Sequence, residues 1–158
     1  MHYQRLIFFM SAVAISWFWV ACHKQDDAAP LTPVIRNDVQ PIENRFPTLA
    51  PVEKTWWEGE ITSKNSRISP PGPSQYRMSG YVRLTAENAA AMAQRHTWAP
   101  VPAGWSPGLI MADPLLPGKT GWVTSEGLKK ELSRPPRIMG DFYFNAEHRF
   151  IYFEMSGE

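Results

Sequence analysis

The sequence predicts an α+β fold: a small antiparallel sheet with one principal helix and a C-terminal β-hairpin, behind an apolar leader and a proline-rich tether. Three observations predict it. "YRMSGYVRLT" alternates apolar and polar residues with the period of a half-buried strand. An alanine-rich run with a threonine in the N-capping position follows directly. The chain then closes with two β-rich runs around Asn145-Ala146-Glu147-His148, a hairpin by spacing and composition. With 158 residues there is room for one ordinary domain. The expected division is a signal peptide over 1–21, a tether over 22–51 and a single domain over 52–158.

The leader is Arg5, an uncharged run from Leu6 to Ala21, and then Cys22. As a helix the run spans about 24 Å, short of the roughly 30 Å of a bilayer's hydrocarbon core, and its basic start and small final residue fit a secretory signal. Cys22 is the only cysteine, so no intramolecular disulfide can form. An exported lone thiol is ordinarily a liability, which points to another use. Trp19-Val20-Ala21-Cys22 resembles the lipobox of bacterial lipoproteins. Ala21 and Cys22 match that pattern; Trp19 stands where an aliphatic residue, usually leucine, is expected. The resemblance implies that Cys22 is acylated and becomes the first residue after cleavage. His23 follows it, not aspartate, which implies attachment to the outer membrane, facing the periplasm.

Next come prolines at 30, 33, 41, 47 and 51. Each fixes φ and removes a backbone donor, so neither a regular helix nor a central strand is expected, only a tether. The alternative is that Val34-Ile35 and Phe46-Pro47 pack as an arm on the domain. "KTWWEGEI" reads as a strand. In the following strand Tyr76, Met78, Val82 and Leu84 share one face, and Arg77, Ser79, Tyr81 and Arg83 the other. Gly80 is read there as a bulge. Thr85 caps the helix "AENAAAMAQRH"; a proline-rich loop follows, in which "GLIMA" could hide a short strand. "KTGWVTS" is a strand, and Ser125 caps the short helix "EGLKKEL". In the hairpin, Phe142, Phe144, Ile151, Phe153 and Met155 face one way. Tyr143, Phe150 and Tyr152 face the other, a side too aromatic for casual exposure: either loops cover it or it binds something.

Chemistry is scarce. Gly104-Trp105-Ser106-Pro107-Gly108 matches the G-x-S-x-G nucleophile elbow, but the residue after the serine must donate its N–H to the oxyanion hole, and Pro107 has none. His96 and His148 share no metal-ligand spacing, and His96 suits a helix C-terminus. Asp141 and Glu147 could be drawn as a glycosidase pair, but hairpin carboxylates are ordinarily solvated. Gly118-Lys119-Thr120 lacks the first glycine of a phosphate loop. Sixteen Lys and Arg against 15 Asp and Glu give no long-range attraction to nucleic acid. No enzyme, catalytic residue, metal or cofactor is expected. The expectation is an anchored envelope protein that binds a periplasmic protein through Trp98, Trp105, Tyr143, Phe150 and Tyr152, since Trp, Tyr and Arg commonly anchor such contacts. At class level it resembles the periplasmic immunity lipoproteins that neutralise antibacterial toxins. The alternative is an envelope assembly or maintenance lipoprotein that binds lipid, glycan or a machine component.

Overall fold

The alternation read between Tyr76 and Leu84 is realised in a sheet buried on both faces. The structure, a computed structural model, describes residues 34–61, 76–135 and 137–157; the leader and Cys22 lie outside the described residues. Strands β1 (Val52–Ile61), β2 (Tyr76–Leu84), β3 (Ala99–Pro100), β4 (Trp122–Thr124), β5 (Met139–Asn145) and β6 (Phe150–Gly157) form one sheet in the order β1-β2-β6-β5-β4-β3. All neighbours are antiparallel. The C-terminal hairpin is β5–β6, and β6 has moved to the centre of the sheet beside β2. The fold is α+β, as the sequence predicts.

Because side chains alternate across a strand, every strand but the exposed β3 feeds two cores. Met78, Val82, Leu84, Phe142, Phe144, Ile151, Phe153 and Met155 face helices α1 (Gln40–Arg45), α2 (Ala86–Arg95) and α3 (Glu126–Leu132), which contribute Ile42, Ala89, Met92, Leu128 and Leu132. Trp56, Tyr81, Phe150 and Tyr152 face the other way, under the loop from Val101 to Gly121, where they meet Leu109, and beside Trp122. Both predicted caps form. Thr85 Oγ1 accepts from Asn88 N at 3.2 Å, and Ser125 Oγ accepts from Leu128 N at 3.5 Å.

Three expectations need correction. The stretch 34–51 is not tether. Gln40–Arg45 is helical with a proline in its first turn, where the missing N–H costs nothing, and Pro47–Leu49 is a 3-10 turn. Ile42, Phe46 and Leu49 are buried, and Trp57 Nε1 and Thr55 Oγ1 both donate to Asp38 O. Residues 34–51 therefore belong to the folded domain, which does not begin at residue 52. Secondly, Gly80 is no bulge: it pairs in register with Trp57 and Phe153, and the irregularity lies at Val52–Lys54. A Cβ on Gly80 would lie 2.5 Å from the Trp56 carbonyl oxygen, so the glycine permits close approach of β1. Gly80→Ala is expected to cost about 1–3 kcal/mol through forced backbone shifts, read as a lower denaturant midpoint at unchanged m-value. Finally, "GLIMA" forms no strand.

Candidate functional site

On the loop-covered face, strand register sorts side chains into rows. Trp56, Tyr81, Tyr152 and Tyr143 stand side by side across β1, β2, β6 and β5. Two residues along each strand, the next row is Glu58, Ser79, Glu154 and Asp141. An aromatic row thus borders a row of carboxylates. No local pattern in the chain announces this, since the row draws one residue from each of four strands.

The aromatic row holds the loop. Tyr152 Oη accepts from Gly108 N at 2.8 Å and from Leu109 N at 3.0 Å, and donates to Glu154 Oε1 at 2.7 Å. Tyr81 Oη donates to Leu109 O at 2.9 Å, so both backbone groups of Leu109 are held by sheet tyrosines. Trp56 Nε1 donates to Asp113 Oδ2 at 2.9 Å, and Trp122 Nε1 to Gly118 O at 2.8 Å. Burial, with the Glu154 charge adding to it, pushes the Tyr81 hydroxyl up to about 12. Burial and the hydrogen bond to Glu154 raise Tyr152 as well, and burial then Asp141 raise Tyr143.

The acidic row opens into a cleft of about 590 Å³ with Met139, Arg77 and Gly108 on its walls. Ser79 Oγ donates to Glu58 Oε1 at 3.0 Å, while buried Glu58 Oε2 has no hydrogen-bond partner among the described residues. Asp141 Oδ1 lies 2.6 Å from Lys129 Nζ, and that bond raises the lysine above its ordinary value. Met139, half exposed at 50 %, adds an apolar rim. The cleft thus combines carboxylates with an apolar rim, with Lys129 already on Asp141 and Arg77 on the wall; the carboxylates suit a cationic group and the rim an aliphatic stem.

The five predicted binding aromatics do not form one surface. Phe150 and Tyr152 are 1 % and 0 % exposed, so they are core beneath the loop and not a contact surface. Trp98 lies on the helical side, its ring 4.9 Å from Phe144 and its Nε1 donating to Ala93 O. Trp105 and Tyr143 stay half-buried and pack at a tilt on the loop side, their ring centres 4.0 Å apart. The cause is the loop itself: it supplies the apolar cover that the hairpin's second face requires. Sequence reasoning missed Glu58, Ser79 and Glu154. The one signal was Glu154, a carboxylate inside the otherwise apolar run "FIYFEM".

Ser106 sits in the loop, in no strand-to-helix turn: no helix starts between Gly108 and Glu126. His148 is held by Asn145, with Nδ1 3.2 Å from Asn145 Oδ1. His96 caps the end of α2, its Nε2 3.0 Å from Glu131 Oε2 on α3. Asp141 pairs with Lys129, and Glu147 lies in the exposed hairpin turn. Asn145 alone is about 13 Å along the strand from Asp141, beyond the separation glycosidase pairs use. Among the described residues, no three His, Cys, Asp or Glu side chains are arranged to hold a metal ion. Comparison with protein-family models, curated proteins and solved structures returns no match.

Proposed function

We propose that this chain is a lipid-anchored protein of the bacterial envelope, attached through Cys22 to the outer membrane and facing the periplasm, that acts by binding a protein. The observation that carries the binding half is the cleft in which Glu58, Glu154 and Asp141 line up beside Met139. It fits a partner that inserts a Lys or Arg side chain, with the half-exposed Met139 contacting the stem. In its most concrete form the partner is an antibacterial toxin and the chain its immunity protein. The anchoring half rests on the solitary Cys22 at the end of the apolar run.

Each half has its own test. Cys22→Ser should leave an unprocessed precursor or release the protein into the soluble fraction; a variant processed and sedimenting like the parent overturns the anchor. For binding, the parent is purified from membranes and its bound proteins are identified. The double variant Glu58→Gln, Asp141→Asn is expected to melt within a few degrees of the parent while losing at least tenfold of the captured partner. The parent's capture should fall with added salt. Equal capture by the double variant, or a captured protein with no basic contact surface, would overturn the cleft as the binding site.

A further inference from the structure

The loop that covers the aromatic face also has an outer surface. Residues 101–118 contain one ionisable side chain, Asp113, and it is turned inward: Oδ2 accepts from Trp56 Nε1 and Oδ1 from Leu115 N, both at 2.9 Å. Fixed to the sheet and carrying no ionisable side chain besides Asp113, the loop shows solvent Ile110, 91 % exposed, and Leu115, 47 % exposed. Buried Leu109 immediately precedes Ile110 and is held at both its N–H and its carbonyl, so the isoleucine is displayed on a constrained backbone. Surface loops of soluble domains ordinarily carry several charges, and neighbouring exposed apolar side chains on a loop with one acid point to a contact.

What it contacts is indicated by where the chain joins the fold. A groove of about 510 Å³ is lined by Ile35 and Trp56 on one side and by Met111, Asp113 and Pro114 on the other. Val34, Ile110 and Leu115, three of the four large apolar side chains exposed among the described residues, are the chain neighbours of Ile35, Met111 and Pro114. Only residues 23–33 separate Val34, itself 73 % exposed, from Cys22. At about 3.3–3.6 Å per residue, that stretch cannot exceed roughly 40 Å. The apolar set therefore lies where the anchored chain meets the domain. Lys54 holds its Nζ 4.5 Å from the ring centre of Trp56, which lines the groove, and is a cation suited to lipid phosphate.

We infer that Ile110, Leu115 and Val34 form a membrane-contact surface that seats the domain on the bilayer holding its own lipid anchor. The inference rests on the lipid anchoring of Cys22 proposed above. It leaves the acidic cleft free, because the loop lies between: Gly108 borders the cleft, and Met111 to Pro114 border the groove.

The test uses the full lipidated protein in vesicles of phosphatidylethanolamine and phosphatidylglycerol. A nitroxide is placed at Ile110→Cys or, as control, at Glu147→Cys in the exposed hairpin turn. Acylated Cys22 does not take the label, and both variants should melt like the parent. In vesicles the label at position 110 is expected to lose at least fivefold of its collision with an aqueous nickel complex and to gain collision with oxygen; that at 147 should not change. Equal aqueous access at both positions, in protein that floats with the vesicles, overturns the inference and leaves the anchor standing. Failure to float overturns the anchor and the inference together. Shielding at position 110 that needs no vesicles and grows with protein concentration would assign the surface to a second copy, and also overturns it.

Discussion

Phe46→Ala should lower stability by about 3–5 kcal/mol, on the order of 15 °C in melting temperature. The residue belongs to a stretch whose prolines read as tether, yet its ring packs edge-on against Phe142 and Phe153 at 5.6 Å from each. It is fully buried between α1 and the centre of the sheet, and truncation leaves a cavity against two aromatic faces. Val34→Ala, at a 73 % exposed position only twelve residues away, should stay within about 0.5 kcal/mol of the parent. Chemical denaturation followed by tryptophan fluorescence measures both. If Phe46→Ala unfolds at the parent's midpoint, the segment is a tether after all and the domain starts later in the chain.

That contrast shows where the sequence was legible. Signals confined to a few neighbouring residues could be read: the alternation of Tyr76–Leu84, the caps at Thr85 and Ser125, and the two faces of the hairpin. Each depends on backbone geometry within one element. The segment 34–51 misled because proline excludes helix interiors but not a first turn, and Pro41 and Pro47 both sit at helix starts. Glu43 in the first turn and Arg45 in the last were the available helix signals, and Glu43 Oε1 also accepts from Val52 N at 3.0 Å.

The site was less legible for a different reason. The acidic row exists only through register, and β6 pairs with β2 across a long separation in sequence. The hairpin's second aromatic face posed a choice between cover and binding; the loop decided it by placing Leu109 and Trp105 over the tyrosines. Aromatic content alone could not distinguish these outcomes. Ile110, in contrast, lies within an apolar pentapeptide in the sequence and becomes conspicuous only once Leu109 is seen to turn inward.

The same tyrosines make the domain sensitive to alkali, and this is the second large effect. Below pH 10 both folded and unfolded chains keep the proton on Tyr81 and Tyr152, so their contribution to stability is complete. Above that pH the unfolded chain gives the protons up. The folded chain retains them, to about 12 at Tyr81, because burial opposes the phenolate. Folding then binds more protons than unfolding, and stability falls as pH rises, by about 1.4 kcal/mol per pH unit for each tyrosine. Midway between pH 10 and 12, where the slope is steepest, the two together should remove up to roughly 2.7 kcal/mol per unit. Tyr152→Phe should remove half of that part of the slope, leaving the part that the raised Tyr143 and Lys129 add. At neutral pH the same variant should cost about 2 kcal/mol, since Leu109 N loses its partner inside the protein and Gly108 N is left to water. Its signature is local as well as global: amide exchange should speed up at Leu109 before it changes at Phe153 in the centre of the sheet. If the alkaline slope is the same in the parent and in Tyr152→Phe, the hydroxyl is not what holds the loop, and the display of Ile110 must depend on Trp56 and Asp113 instead.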